Sequence, residues 1–409
     1  MNFDWTDDEQ AFRAKVRDAI ARHGSPEWGP RDFELGTPEL QATCRAFCRA
    51  LAGEGLLTPN WPAEFGGRDA SPWEQLILSE EMHGAFEPRG PQYMNVNWIG
   101  PAIMAHGTPA QHRLHLPKIA AGDAFWCQGF SEPDAGSDLA ALRCAAVLDG
   151  DTYVVNGQKI WTSYAHCADY CFLLVRTDPR AEPRRGISAL LVPMDLPGIE
   201  VRDIPNIAGA HIIHEVFFRD VAVDATCLLG GENEGWPMVL SSLANERIGI
   251  ARFERSARAL ETAVAMLASG SGPSRSGPSD SGASDLGASD TGAMDLGRSD
   301  GRLDDHAREL AGRAFATNEA ARVLNYVAVQ ERISAGGGPR PAASVSRVAT
   351  TVAVRQTADT AFDLLGQSTF LDREIDEQLA TAVTVPIAAG SYEMQLDNVA
   401  RLSLHLARA

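Results

Sequence analysis

The chain has 409 residues, with 36 Lys and Arg against 54 Asp and Glu, a net charge of −18. That balance excludes a nucleic-acid binder with a basic face and a protein that docks on anionic lipid. At 44% hydrophobic and 22% charged the composition is globular, and at roughly 100–200 residues per domain the length suits two to four domains.

The acidic start, Met1 to Gln10, does not read as a signal peptide, and no run approaches the roughly 18 apolar residues of a membrane span. Seven cysteines without a CxxC pair read as free thiols. The expectation is therefore a cytoplasmic protein.

Residues 1–123 read as an α-helical domain. Thr6 with Glu9 forms a capping-box pattern, and Phe12, Val16 and Ile20 recur every four residues. Further helices are predicted over roughly 38–55, 72–86, 92–106 and 109–121, separated by Pro- and Gly-rich breakers. Residues 124–235 read as a β-domain. Asp149-Gly150 and Asn156-Gly157 are hairpin-type dipeptides, and short apolar runs follow at Cys171–Val175, Ile187–Val192 and Val216–Phe218.

Residues 236–409 return to helical period. One long helix is expected from about 237 to 268, with a stripe at Val239, Leu243, Glu246, Ile250, Phe253, Ala257, Leu260, Val264 and Leu267. Glu246 is its one charged member. Within 269–301, Gly and Asp recur every five residues from Gly277 and Asp280, with few apolar residues, which reads as a flexible acidic loop. Helical texture resumes near Leu303, with a break at Gly336-Gly337-Gly338-Pro339. The fold class is α+β, in the order helical domain, β-barrel-like domain, helical bundle.

The segment from Trp126 to Asp138, WCQGFSEPDAGSD, resembles the first flavin and acyl-CoA motif of the acyl-CoA dehydrogenase family. Val155 to Ser163, VNGQKIWTS, resembles that family's strand against the flavin. Trp61 to Gly67, Ala105 to Gln111 and Asn245-Glu246-Arg247 fit in register, and the likeness is strong over about 1–265 and faint after 301. The resemblance implies an N-terminal helical domain, a middle β-domain and a C-terminal four-helix bundle, with bound FAD. It implies that Gln128, Phe130, Ser131, Trp161, Thr162 and Ser163 contact the cofactor, and that Ser137, Arg247, Ala389 and Gly390 contact the acyl thioester. By residue type alone, Trp161 also fits a core aromatic and Ser137 a turn or capping hydroxyl.

The family reaction is an α,β-desaturation, in which a carboxylate takes the α-proton and the β-hydrogen leaves as hydride to flavin. Many members carry the base just before a Gly-Ser or Gly-Thr near the C-terminus, where this chain has Ala389. Another branch carries it on the long helix, where this chain has Glu246. The stripe pattern singles out the same residue, because an unpaired carboxylate among apolar neighbours is costly unless used. The competing reading is a buried Glu paired with Arg247, Arg252 or Arg255. Ala389 retains a backbone N–H for the thioester carbonyl. Glu393 reads as a polar helix residue.

The Arg, Phe-Gly and Gln that grip the FAD pyrophosphate in the family are missing, and Asp363 replaces an expected Gln near Gly366. Actinobacterial-type branches with such gaps form heteromers in which a partner completes the FAD site. The resemblance thus implies an acyl-CoA or acyl-carrier thioester as substrate and electron-transfer flavoprotein or a similar acceptor. The assembly is either a homo-oligomer or a heteromer with a paralogous subunit. The alternatives are an incomplete, non-catalytic subunit or a same-fold flavin monooxygenase or oxidase. No metal site is expected: His112 with His115 and His211 with His214 lack a third ligand and read as solvated or capping residues.

Overall fold

The computed structural model describes residues 5–25, 28–29, 35–207, 212–239, 251–269, 303–334, 341–388 and 390–406. The first helix, α1 (Asp7–His23), opens on the expected capping box. Glu9 N–H donates to Thr6 Oγ1 at 3.3 Å, and Thr6 N–H donates to the Glu9 carboxylate at 2.9 Å, which satisfies two orphan donors. Helices α2 (Pro38–Gly53) and α3 (Pro72–Gly84) follow. Next come α4 (Gln92–Met94), a π-helical turn (Asn95–Ile99) and α5 (Gly100–His106), then α6 (Pro109–Ala120). Phe12 and Val16 bury against Phe47, Cys48 and Leu51 of α2 and Ile77 and Met82 of α3. Arg13 ties α1 to α3 by bonding Glu80 and Glu81.

Eight strands form one sheet: β1 (Trp126–Gly129), β2 (Ala145–Asp149), β3 (Thr152–Ser163), β4 (Tyr170–Arg176), β5 (Ile187–Pro193), β6 (Ile199–Asp203), β7 (Ile213–Asp224) and β8 (Leu228–Leu229). Their order is β6-β7-β3-β2-β4-β5-β8, with β1 alongside β4. β2 and β4 share a single register pair, Ala145 with Arg176, so the sheet forks between them. One side packs on the N-terminal helices through Trp61, Trp98, Ile103, Leu116, Trp126 and Phe172.

The Gly150 turn joins β2 to β3, as its dipeptide predicts. Asn156-Gly157 does not make a turn. It lies inside β3, where the register against β7 shifts between Val155 and Gly157. The dipeptide signals a left-handed backbone, and a bulge uses that conformation as readily as a hairpin does.

Residues 235–239 are helical, and α7 begins at Arg252 with Ala251 outside it, so the single rod expected over 237–268 does not hold there. The inward face of α7 (Arg252–Ser269) is Phe253, Ser256, Ala259, Leu260 and Ala263, while Ala257, Val264 and Leu267 are only half-buried. The stripe shifted because the inward face carries small residues, including Ser256, that a pattern based on apolar size does not mark. α7 packs with α8 (Asp305–Ser334), α9 (Pro341–Leu365) and α10 (Arg373–Thr384), and α11 (Tyr392–Leu402) lies on α9. Phe253, Ala321 and Ala353 meet in one core, and Ala263, Ala361 and Ile375 in another. Buried amides bridge the helices: Asn318 donates to Thr357 at 2.8 Å and Gln378 to Ser256 at 2.9 Å. The Gly/Asp repeat falls outside the described residues.

Candidate functional site

The site is built on β3. Up to Val155 this strand alternates regularly, with Tyr153 and Val155 inward. At Gly157 the backbone has φ +152°, and a Cβ there would meet Cys144 Cα at 2.6 Å. A second shift follows: Lys159 pairs with Val216 and Thr162 with His214. Two residues, Ile160 and Trp161, thus stand opposite Glu215 alone, which is a bulge. Freed from β7, Ile160 N–H donates to Ser131 O at 2.9 Å. Trp161 takes φ +59° and is 55% exposed, while Lys159 is fully buried. The polarity of the strand is inverted here, with the aromatic outside and the cation inside.

Lys159 explains the inversion. Its Nζ donates to Phe130 O at 3.1 Å and to Glu132 Oε1 at 2.8 Å. The Glu132 carboxylate also accepts the N–H groups of Arg143 at 2.7 Å and Cys144 at 2.8 Å. A buried charge is tolerated only when paired and fully hydrogen-bonded, and this pair stitches the 130–132 turn to β3. The neighbouring Cys144 thiol is pushed up to about 11, by burial first.

The two motifs therefore lie side by side. Ser131, whose carbonyl accepts from Ile160, and Ser163, two residues past Trp161, are half-buried next to the exposed Trp161. An open flat aromatic with serines close by suits an isoalloxazine ring, which needs an apolar wall and polar edge contacts. Gln128 is half-buried, its Oε1 accepting from Trp98 Nε1 on the π-helical turn at 2.7 Å. The Phe130 side chain packs edge-on to Phe172 in the core, and the Thr162 hydroxyl is buried without a partner. Neither side chain reaches the open face. Ser137 is exposed in the following turn. Gly390 has φ +84° just before α11, where Glu393 is exposed in the first turn. Glu246, Arg247 and Ala389 lie outside the described residues.

The Arg255 guanidinium, named above as a possible partner of Glu246, contacts Glu377 at 3.3 Å and His83 O at 3.2 Å. Of the histidines, His112 caps the end of α5 as expected, whereas His115 and His214 are buried and not solvated. His115 packs between Trp126 and Tyr170, and His112 donates to Ile103 O at 2.9 Å. His214 is fully buried behind Thr162. His211 is outside the described residues. Lys159, Glu132 and His214 are site residues that the motifs alone do not single out. The one sequence signal for Lys159 is its parity with Tyr153 and Val155 on the inward face of β3.

Family models for acyl-CoA dehydrogenase match in tandem: the N-terminal domain over residues 6–123, the middle domain over 127–221 and the C-terminal domain over 303–404. The match after 303 extends the likeness beyond the point where the motifs fade. The chain is 41% identical over 244 residues to acyl-CoA dehydrogenase IpdE1 of Mycobacterium tuberculosis, covering 59% of this chain and 63% of that one. It is 39% identical over 248 residues to acyl-CoA dehydrogenase FadE29 of the same organism, covering 61% and 63%. These alignments span somewhat under two thirds of the relatives' lengths. Among solved structures, the ChsE4-ChsE5 complex from M. tuberculosis superposes with a TM-score of 0.82 at 30% identity, covering all of both chains. The Tcur3481-Tcur3483 steroid ACAD gives 0.83 at 27%, again over all of both chains. This chain belongs to the acyl-CoA dehydrogenase family and is of the actinobacterial type. Members of the family are FAD-dependent flavoproteins.

Proposed function

We propose that this chain is an FAD-dependent acyl-CoA dehydrogenase that desaturates an acyl-CoA thioester between Cα and Cβ. The observation that carries this reading is the open face of Trp161 next to Ser131 and Ser163. In this reading the helical unit 1–123, the β unit 124–235 and the helical unit 236–409 each contribute one wall. Trp161 excludes water from one face of the flavin ring, and Ser131, Ser163 and the backbone around Gln128, Phe130 and Thr162 bind its edge. FAD supplies the sink for the electron pair that leaves Cβ.

Glu246 takes the α-proton, and its apolar neighbours in sequence suit a carboxylate whose basicity is raised by desolvation. Ser137, Arg247, Gly390 and the Ala389 N–H hold the thioester, with the Ala389 donor stabilising the developing enolate oxygen. An electron-transfer flavoprotein or similar acceptor reoxidises the enzyme. The purified protein should be yellow, and Glu246→Gln should abolish dye reduction by at least about 10³-fold while the flavin absorbance stays, the scale at which a general base acts. Retained activity overturns the base assignment. Colourless protein that FAD does not reconstitute, with or without a partner, overturns the flavin reading.

A second reading concerns assembly: a paralogous subunit completes the phosphate side of the FAD site. Supporting it are the two-component names of both structural relatives, ChsE4-ChsE5 and Tcur3481-Tcur3483, and the exposed apolar side chains Phe362, Phe370, Leu371 and Ile387 on the C-terminal helices and their connections. Co-expression with a genomic neighbour tests it: flavin retained only in the co-expressed pair supports it, and flavin retained by this chain alone overturns it.

A further inference from the structure

We propose that His214 is a positioning residue for the flavin wall: its imidazole adds a side-chain bond to β3 at the first pair after the bulge, and so fixes the Trp161–Ser163 segment. This rests on the flavin reading above. His214 occupies the middle of a three-strand row, with Thr162 of β3 on one side and Asp203 of β6 on the other. Its Nδ1 lies 3.1 Å from Thr162 O. A carbonyl oxygen only accepts, so Nδ1 carries the hydrogen. Nε2 faces Asp203 Oδ1 at 3.1 Å.

The ring is also held flat. His166 stacks on it at 4.7 Å and 30°, and His166 Nε2 donates to Leu35 O at 3.0 Å. The helical unit, the loop after β3 and β6 thus all bear on one imidazole. The charged and titratable groups facing it are His166 and Asp203. Burial pushes the His214 pKa down, while Thr162 and Asp203 oppose it.

The residue thus held in place matters. Trp161 has a left-handed backbone, costly for a bulky side chain, and such a conformation persists only where neighbours over-determine it. Ile160 N–H to Ser131 O holds its N-terminal side, and the His214 bond holds its C-terminal side. Register with β7 resumes at Thr162, and Tyr164 N–H donates to Ile212 O at 2.8 Å, so the His214 side-chain bond falls at the first pair after the bulge, next to Trp161.

Two substitutions separate the ring nitrogens. An Asn amide stands where Nδ1 stands and keeps the Thr162 bond, whereas a Gln amide stands where Nε2 stands and loses it. His214→Gln, and not His214→Asn, should speed amide hydrogen exchange at residues 160–164 at least about tenfold without changing residues 152–155. The same variant should weaken FAD binding by about tenfold, with an altered flavin visible band. Equal effects of the two variants, the reverse order, or faster exchange spread along the whole of β3 overturns the proposal. If the Gln variant does not fold, loss of protection at 160–164 in the Asn variant overturns it and full protection there supports it. The exchange measurement needs no cofactor, so a wild-type chain that binds no FAD counts against the proposed function while the exchange still decides this inference.

Discussion

Trp161 combines a left-handed backbone with an open indole face. A left-handed backbone costs an ordinary residue about 1–2 kcal/mol, and the half-exposed ring recovers a similar amount by partial burial. Trp161→Gly should therefore leave the thermal midpoint of the cofactor-free chain within about 3 °C, since 1 kcal/mol shifts a domain of this size by only a few degrees. FAD affinity should fall at least tenfold, measured by titration.

Glu254 makes a separate case. It is half-buried on α7 facing Glu80, Glu81, Arg13 and Arg322, and burial, then Glu80, pushes its carboxyl up to about 7. The folded chain binds that proton more tightly than the unfolded chain, so stability falls as pH rises from about 4.5 to 7. Glu254→Gln should stabilise the protein at pH 8 by on the order of 2 kcal/mol and have little effect at pH 4.5, read from denaturant midpoints. Of these residues, Trp161 and the nearby serines are legible in sequence because a contiguous motif carries them. Glu254 and His214 are not, since the groups that face them sit on other elements, Arg13, Glu80, Glu81 and Arg322 for Glu254 and Thr162, His166 and Asp203 for His214.

At the scale of elements, periodicity finds the helices where one face does the packing. α1 starts at the predicted capping box, and α2, α3 and α6 start where their predicted ranges do. It fails where the inward face is lined by small or polar residues, as with Ser256 on α7, because the pattern rests on apolar size. It also fails at Asn156-Gly157, where the local backbone preference is right and the tertiary role is different. Gly157 is required twice over, by φ +152° and by the 2.6 Å approach to Cys144. Gly157→Ala should cost about 2–4 kcal/mol in urea unfolding, the range of a strained backbone plus a steric clash. A cost under about 0.5 kcal/mol would mean that the bulge relaxes freely.

For the whole molecule, the order of helices, sheet and helices was readable because each unit has its own period. The fork in the sheet was not, since strand order depends on contacts between distant runs. Among the described residues no helix is long and apolar enough to cross a membrane. Most of the exposed large apolar side chains among the described residues lie on the C-terminal units, where Leu371 and Ile387 are each 70% exposed and Phe370 packs edge-on to Phe362. Exposed apolar side chains of this kind suit the assembly proposed above. Replacing Phe370 and Leu371 together by Glu should lower the mass measured by light scattering, without changing the far-ultraviolet circular dichroism. An unchanged mass would put the contact elsewhere.

The Lys159–Glu132 pair has a consequence for divergence. Either charge left alone in that dry interior would be an uncompensated ion, so neither position drifts by itself. Loss of either weakens the other's hold, and with it the stitch between the serine turn and the tryptophan strand. Duplicated copies of this gene would then separate into those that keep both residues together with the cofactor wall, and those that shed both and survive only as scaffolding.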